Sequence, residues 1–103
     1  MTTRSSARHR RRFRASLGST PVFTSDVGLG GFSAEVLRVQ APGTPVQGSI
    51  RLNGEDVAFR GEIAWAKAGV PRVGLRGRIG VRFDLQSVEA RLVTTALSVA
   101  GVV

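Results

Sequence analysis

Arg4, Arg8, Arg10, Arg11, Arg12 and Arg14 place six guanidinium groups in the first fourteen residues, with no acid among them. A guanidinium is a planar fork of donors that suits phosphate and the acceptor edge of guanine. Downstream, Asp26-x-Gly28-x-x-Gly31 combines a carboxylate with glycines whose backbone N–H groups carry no side chain to obstruct them. The remaining acids, Glu35, Glu55, Asp56, Glu62, Asp84 and Glu89, fall mostly at turns or on polar strand faces, where a solvated carboxylate is the ordinary state. There is no cysteine, and the single histidine, His9, lies among arginines, so thiolate or imidazole metal sites and nucleophilic triads have little to build on. Gly28-x-Gly30-Gly31 does not satisfy G-x-G-x-x-G, and no G-x-x-x-x-G-K-[ST] occurs. These residues describe a binding protein rather than an enzyme, with no catalytic residue, metal or cofactor expected.

The elements that must position them are short. The chain has 103 residues, enough for one domain, and a net charge of +8 of which the first fourteen residues supply +6. Residues 1–14 read as a flexible basic arm, and 15–103 as a nearly charge-balanced body. No apolar run approaches the roughly 20 residues that cross a bilayer, and no apolar core follows the charged start. A cytoplasmic location without membrane insertion is the expectation.

From Thr20 the body alternates as β-structure. Pro21–Ser25 is a β-branched run, and Asp26–Gly31 is a turn or bulge. Phe32, Ala34 and Val36 share one face of the next strand, and Val46, Gly48, Ile50 and Leu52 share one face of another. Asn53-Gly54 is a hairpin turn. Val57, Phe59, Gly61, Ile63 and Trp65 follow in phase on the return strand, with Trp65 read as its large core residue. Ile79, Val81 and Phe83 alternate with Arg78, Gly80 and Arg82. Short strands joined by Gly/Pro turns predict an all-β fold, a small antiparallel barrel of about six strands, since closure removes exposed edges. The period then changes. A C-terminal α-helix over about 87–99 is expected, with Ser87 as N-cap and Val88, Leu92, Thr95/Ala96 and Val99 as its buried stripe. Val93 and Leu97 fall beside that stripe, either widening the core face or facing a partner.

Arg10-x-x-x-Arg14, then Asp26-x-Gly28-x-x-Gly31, then Gly80-Val81-Arg82-Phe83 in a barrel ending in a helix resembles the PilZ domain, the bacterial receptor module for cyclic di-GMP. The resemblance covers roughly residues 8–98. The family pattern is R-x-x-x-R followed by [D/N]-x-S-x-x-G, matched at Arg10, Arg14, Asp26 and Gly31. Gly28 stands where the family has serine, and Ala15–Thr24 has room for only one strand where the family commonly has a hairpin. The resemblance implies a ligand site of Arg10, Arg11, Arg14, Asp26, Gly28 and Gly31, with Arg12 as a further helper. The arginines would fork onto phosphate and guanine, Asp26 would accept from the guanine N1/N2 donors, and the glycines would let the ligand approach the backbone. It implies a cyclic di-GMP receptor or adaptor whose arm clamps the dinucleotide and switches an unidentified protein partner. Two alternatives stand beside it. One is a degenerate PilZ-like interaction module that does not bind nucleotide, motivated by Gly28 and the short connection. The other is a small nucleic-acid-binding barrel. It is disfavoured because Phe13 is the arm's only aromatic and the body lacks a basic face with stacking rings.

Overall fold

The computed structural model describes residues 8–102. Six strands, β1 (Arg14–Leu17), β2 (Thr20–Gly28), β3 (Gly31–Val36), β4 (Pro45–Leu52), β5 (Glu55–Lys67) and β6 (Gly77–Phe83), are followed by one helix, α1 (Ala90–Val99). All pairings are antiparallel, and the strands close in the order β1-β2-β3-β6-β5-β4 with β4 returning to β1. The expected all-β barrel with a C-terminal helix is the fold observed.

Alternation fills the barrel as read from the sequence. Phe32, Ala34, Ile50, Leu52, Phe59, Ile63, Ile79, Val81 and Phe83 are buried. The rings of Phe32, Phe59 and Phe83 meet with centroids 5.4, 5.7 and 6.0 Å apart, edge-on or tilted. Such ring pairs add about 0.5–1.5 kcal/mol each beyond the area they bury. At the Asn53-Gly54 turn both residues have positive φ, 53° and 83°, as a two-residue hairpin with right-handed strand twist requires.

Four expectations are corrected. First, the interval between Arg14 and Asp26 does hold a hairpin. Arg14–Leu17 forms β1, and Gly18 at φ 60° turns the chain straight into β2. Four residues give little sequence signal, but β1 is paired on both sides, to β2 and to β4, and tertiary pairing supplies what length does not.

Second, Trp65 is not a core residue. The ladder between β5 and β6 slips between Ile63 and Trp65, pairing Ile63 with Val81 but Trp65 with Gly80. Ala64 is the extra residue, so Trp65 emerges on the outer face, 43% exposed, and Ala66 packs toward the core in its place.

Third, the helix begins at Ala90, and Ser87 is not its cap. The Ser87 hydroxyl instead donates to the Asp84 carbonyl, closing the turn before the helix.

Fourth, α1 is rotated relative to expectation. Ala90, Val93 and Leu97 are buried, whereas Val88, Leu92 and Val99 are exposed. Both stripes are apolar, so periodicity could not choose between them. Packing does: Val93 and Leu97 join the core cluster with Val102, and the Glu89–Arg60 pair, 3.0 Å, flanks the start of the helix. Beyond α1, Gly101 at φ 91° reverses the chain and buries Val102.

Candidate functional site

Residues 8–13 run antiparallel to the second half of β2. His9 and Val27 exchange backbone hydrogen bonds of 2.8 Å, and the Thr24 N–H donates to the Phe13 carbonyl at 2.9 Å. The buried Thr24 hydroxyl fastens the segment a second time. It accepts from the Phe13 N–H at 2.8 Å and donates to the Arg11 carbonyl at 2.6 Å.

Along this segment the arginines divide. Arg8 reaches the Asp26 carboxylate. Arg11 lies over the Phe13 ring, 5.2 Å from its centroid, and donates to the Ala100 carbonyl at the end of α1, at 2.9 Å. Arg12 stacks on Phe23, 4.3 Å from the ring centroid. Arg10 and Arg14 are exposed, and among the described residues their side chains hold no hydrogen bond or ion pair. The structure thus brings Arg8, rather than Arg10 or Arg14, to Asp26, and turns Arg11 toward the helix. Arg4 lies outside the described residues.

Asp26 is on the outer face because of a bulge. Val22 and Thr24 point inward, and simple alternation would send Asp26 in after them. The ladder to β3 slips between Thr24 and Asp26, leaving Ser25 as the extra residue. Val27 takes the inward position, and Asp26 turns out. The bulges of β2 and β5 act on one row. Asp26 pairs with Ser33, Ser33 with Gly80, and Gly80 with Trp65, so these four residues cross β2, β3, β6 and β5 side by side. A methyl added at Gly80 would lie 2.1 Å from the Trp65 indole nitrogen, so the ring covers this glycine closely. Ser33 is buried, and its hydroxyl is without a hydrogen-bond partner among the described residues.

The next row is formed by Gly28, Gly31, Arg82 and Glu62, with Arg82 2.5 Å from Glu62. Gly31 has a structural duty of its own. A Cβ there would sit 1.9 Å from the Val81 carbonyl oxygen, so its glycine permits the close approach of β3 and β6. Gly28, buried at the end of β2, is not among the described residues with positive φ. Its backbone therefore accommodates a side chain without left-handed strain.

Sequence reasoning missed Arg8, Thr24, Ser33 and Trp65. One signal was present for the last: Gly80, alone among outward arginines on β6, marks a strand position where something large lies close. The described residues contain no group of three or more His, Cys, Asp or Glu side chains able to hold a metal ion. None of their helices is long and apolar enough to cross a membrane.

The closed barrel, the arm beside β2 and the terminal helix define a PilZ-like fold. Among solved structures, the chain is similar to the Bacillus subtilis inhibitor of motility MotI/DgrA, with a TM-score of 0.70 and 10% sequence identity over 97% of this chain. It spans 50% of that longer chain, and at this identity the likeness is one of fold. No protein-family model and no curated protein matches the sequence.

Proposed function

We propose that this protein is a cyclic di-GMP receptor of the adaptor type. The observation that supports the reading best is the placement of the arm. Residues 8–13 lie against β2, so the segment that carries Arg10 runs beside the strand that carries Asp26. Arg10 and Arg14, whose side chains hold no partner among the described residues, would take the phosphates and the O6/N7 edges of the guanines. Asp26 would accept from a guanine N1/N2 edge, displacing Arg8. That displacement is inexpensive, because both side chains of the pair are about a third exposed, 36% and 33%, and such pairs contribute roughly 0–1 kcal/mol. Trp65, 43% exposed, offers a flat face for a purine in the same row as Asp26. Arg11 links the arm to the end of α1, so drawing the arm onto a ligand would alter the helix end and pass the signal to a protein partner.

Calorimetric titration with cyclic di-GMP, beside GTP and a short oligonucleotide, tests this reading. Heat with cyclic di-GMP alone is expected, and Arg8→Ala should bind at least as tightly as the parent.

A second reading has its own support. Arg8 already occupies Asp26, and Gly28 lacks the hydroxyl of the family pattern, as in a module kept for partner binding after nucleotide recognition is lost. Absence of heat with both the parent and Arg8→Ala would favour it.

A further inference from the structure

From residue 15 onward the chain has nine cations, and their pairing is uneven. Arg51, Arg60 and Arg82 are matched to Asp56, Glu89 and Glu62. Arg91 lies on α1. The other five, Arg38, Lys67, Arg72, Arg76 and Arg78, hold no ion pair or side-chain hydrogen bond among the described residues. All five belong to one end of the barrel. β3 finishes there with Val36 opposite Gly77, Lys67 of β5 stands opposite Arg78 of β6, and a bridge between Val70 and Leu75 closes the β5–β6 connection. The one acid at this end is Glu35, across from Arg78.

The same end exposes its aliphatic side chains. Leu37 and Val73 are each 72% exposed, and Val70 and Leu75 are exposed beside them. A short 3-10 turn, Pro71–Val73, and Gly74 at φ 75° leave Val73 and Leu75 exposed on the β5–β6 connection. Exposed apolar residues scattered singly are ordinary; four on two adjoining loops, interleaved with five unpaired cations, form a patch with a defined chemistry.

We propose that this end of the barrel docks peripherally on the headgroup layer of an anionic phospholipid bilayer. Exposed aliphatic side chains on a loop can sink to the headgroup boundary, while the neighbouring arginine and lysine stems extend along the apolar layer and leave their charges on the phosphates. A nucleic acid finds no ring on these loops on which to stack a base. A protein partner would have to supply an acidic concavity of matching shape, whereas a lipid surface needs only negative charge and fluidity. This proposal does not depend on nucleotide binding, and its test contains no nucleotide.

The test is co-sedimentation of the full chain with vesicles of phosphatidylcholine, with and without phosphatidylglycerol. Binding is expected only with the anionic lipid and should fall as salt is raised. Replacing Val73 and Leu75 together by serine should lower the partition coefficient by roughly tenfold, because the inserted methyl groups are lost while every charge remains. Arg72→Glu with Arg76→Glu should lower it by roughly tenfold or more. All four positions are exposed, so unchanged melting temperatures are expected and confirm that the fold is retained. Equal binding to both vesicle types, or to neither, overturns the proposal. So does a serine double variant that binds as the parent does, since the basic arm alone would then account for adsorption. A duplex oligonucleotide bound more tightly than the vesicles through Arg72 and Arg76 would assign the face to nucleic acid instead.

Discussion

The two ends of the barrel are both rich in arginine and use it in opposite ways. At the arm end, Arg8 rests on Asp26, Arg11 on the Ala100 carbonyl and Arg12 on the Phe23 ring, and these contacts lay the chain along β2. Among the described residues, Arg10 and Arg14 are left uncommitted there. At the loop end, Arg38, Lys67, Arg72, Arg76 and Arg78 have no partner among the described residues, and Leu37, Val70, Val73 and Leu75 are exposed between them. The difference teaches how to read a basic protein. Cations already matched within the chain build structure, and those left over define what can be met from outside. One end offers two arginines on the segment that runs beside the Asp26 strand, as a compact anionic ligand would need. The other offers a broad field of charge on a greasy tip, suited to a surface.

The largest expected effect tests the structural side of that contrast. Gly31→Ala drives a methyl against the Val81 carbonyl and should destabilise the fold by about 3 kcal/mol in urea titration, the upper part of the overpacking range, because the obstructing atom is backbone. Leu37→Ser at the loop end should change stability by less than about 0.5 kcal/mol. Comparable losses in both would erase the distinction between a constrained end and a free one.

Next in size are the arm arginines. Arg10→Ala and Arg14→Ala should each weaken cyclic di-GMP binding by about 1–3 kcal/mol, the cost of a charge-assisted contact, with Arg76→Ala near the parent. Equal weakening by all three would mean that the ligand feels only the overall positive field.

The smallest effect concerns Gly28. Because its backbone is not left-handed, Gly28→Ser should keep the melting temperature and tighten cyclic di-GMP binding by about 0.5–1.5 kcal/mol through one added hydrogen bond. An equally stable variant without heat on titration would favour the interaction module.

The barrel was largely legible because alternation over β3, β4, β6 and most of β5 is unbroken, and a buried face imposes period two on the residues that fill it. The site was legible only in part. Its placement depends on two single-residue bulges, at Ser25 and Ala64, and a bulge is a mismatch between two strands that neither strand announces alone. Simple alternation sends Asp26 and Trp65 inward; the bulges turn both out onto one row. The azimuth of α1 was hidden for a related reason, since two adjacent apolar stripes differ only in which one packs into the core cluster with Val102. Arg8 at Asp26 needed the path of residues 8–13 along β2, which follows from the Thr24 hydroxyl and the His9–Val27 bridge.

The outward turn at Ala64 also gives the protein a built-in optical probe. The chain has one tryptophan and no tyrosine, so its intrinsic fluorescence comes almost entirely from a single indole at a known address. That indole lies half in water across Gly80, in the same row as Asp26 and Ser33. A purine stacking on this row would quench the emission, whereas a bilayer at the loop end, reached through Lys67 and Arg78 two residues from Trp65 and Gly80, would shift it to the blue. Unlabelled protein in a cuvette can therefore tell a stacked purine from an adsorbed bilayer by the sign of the change.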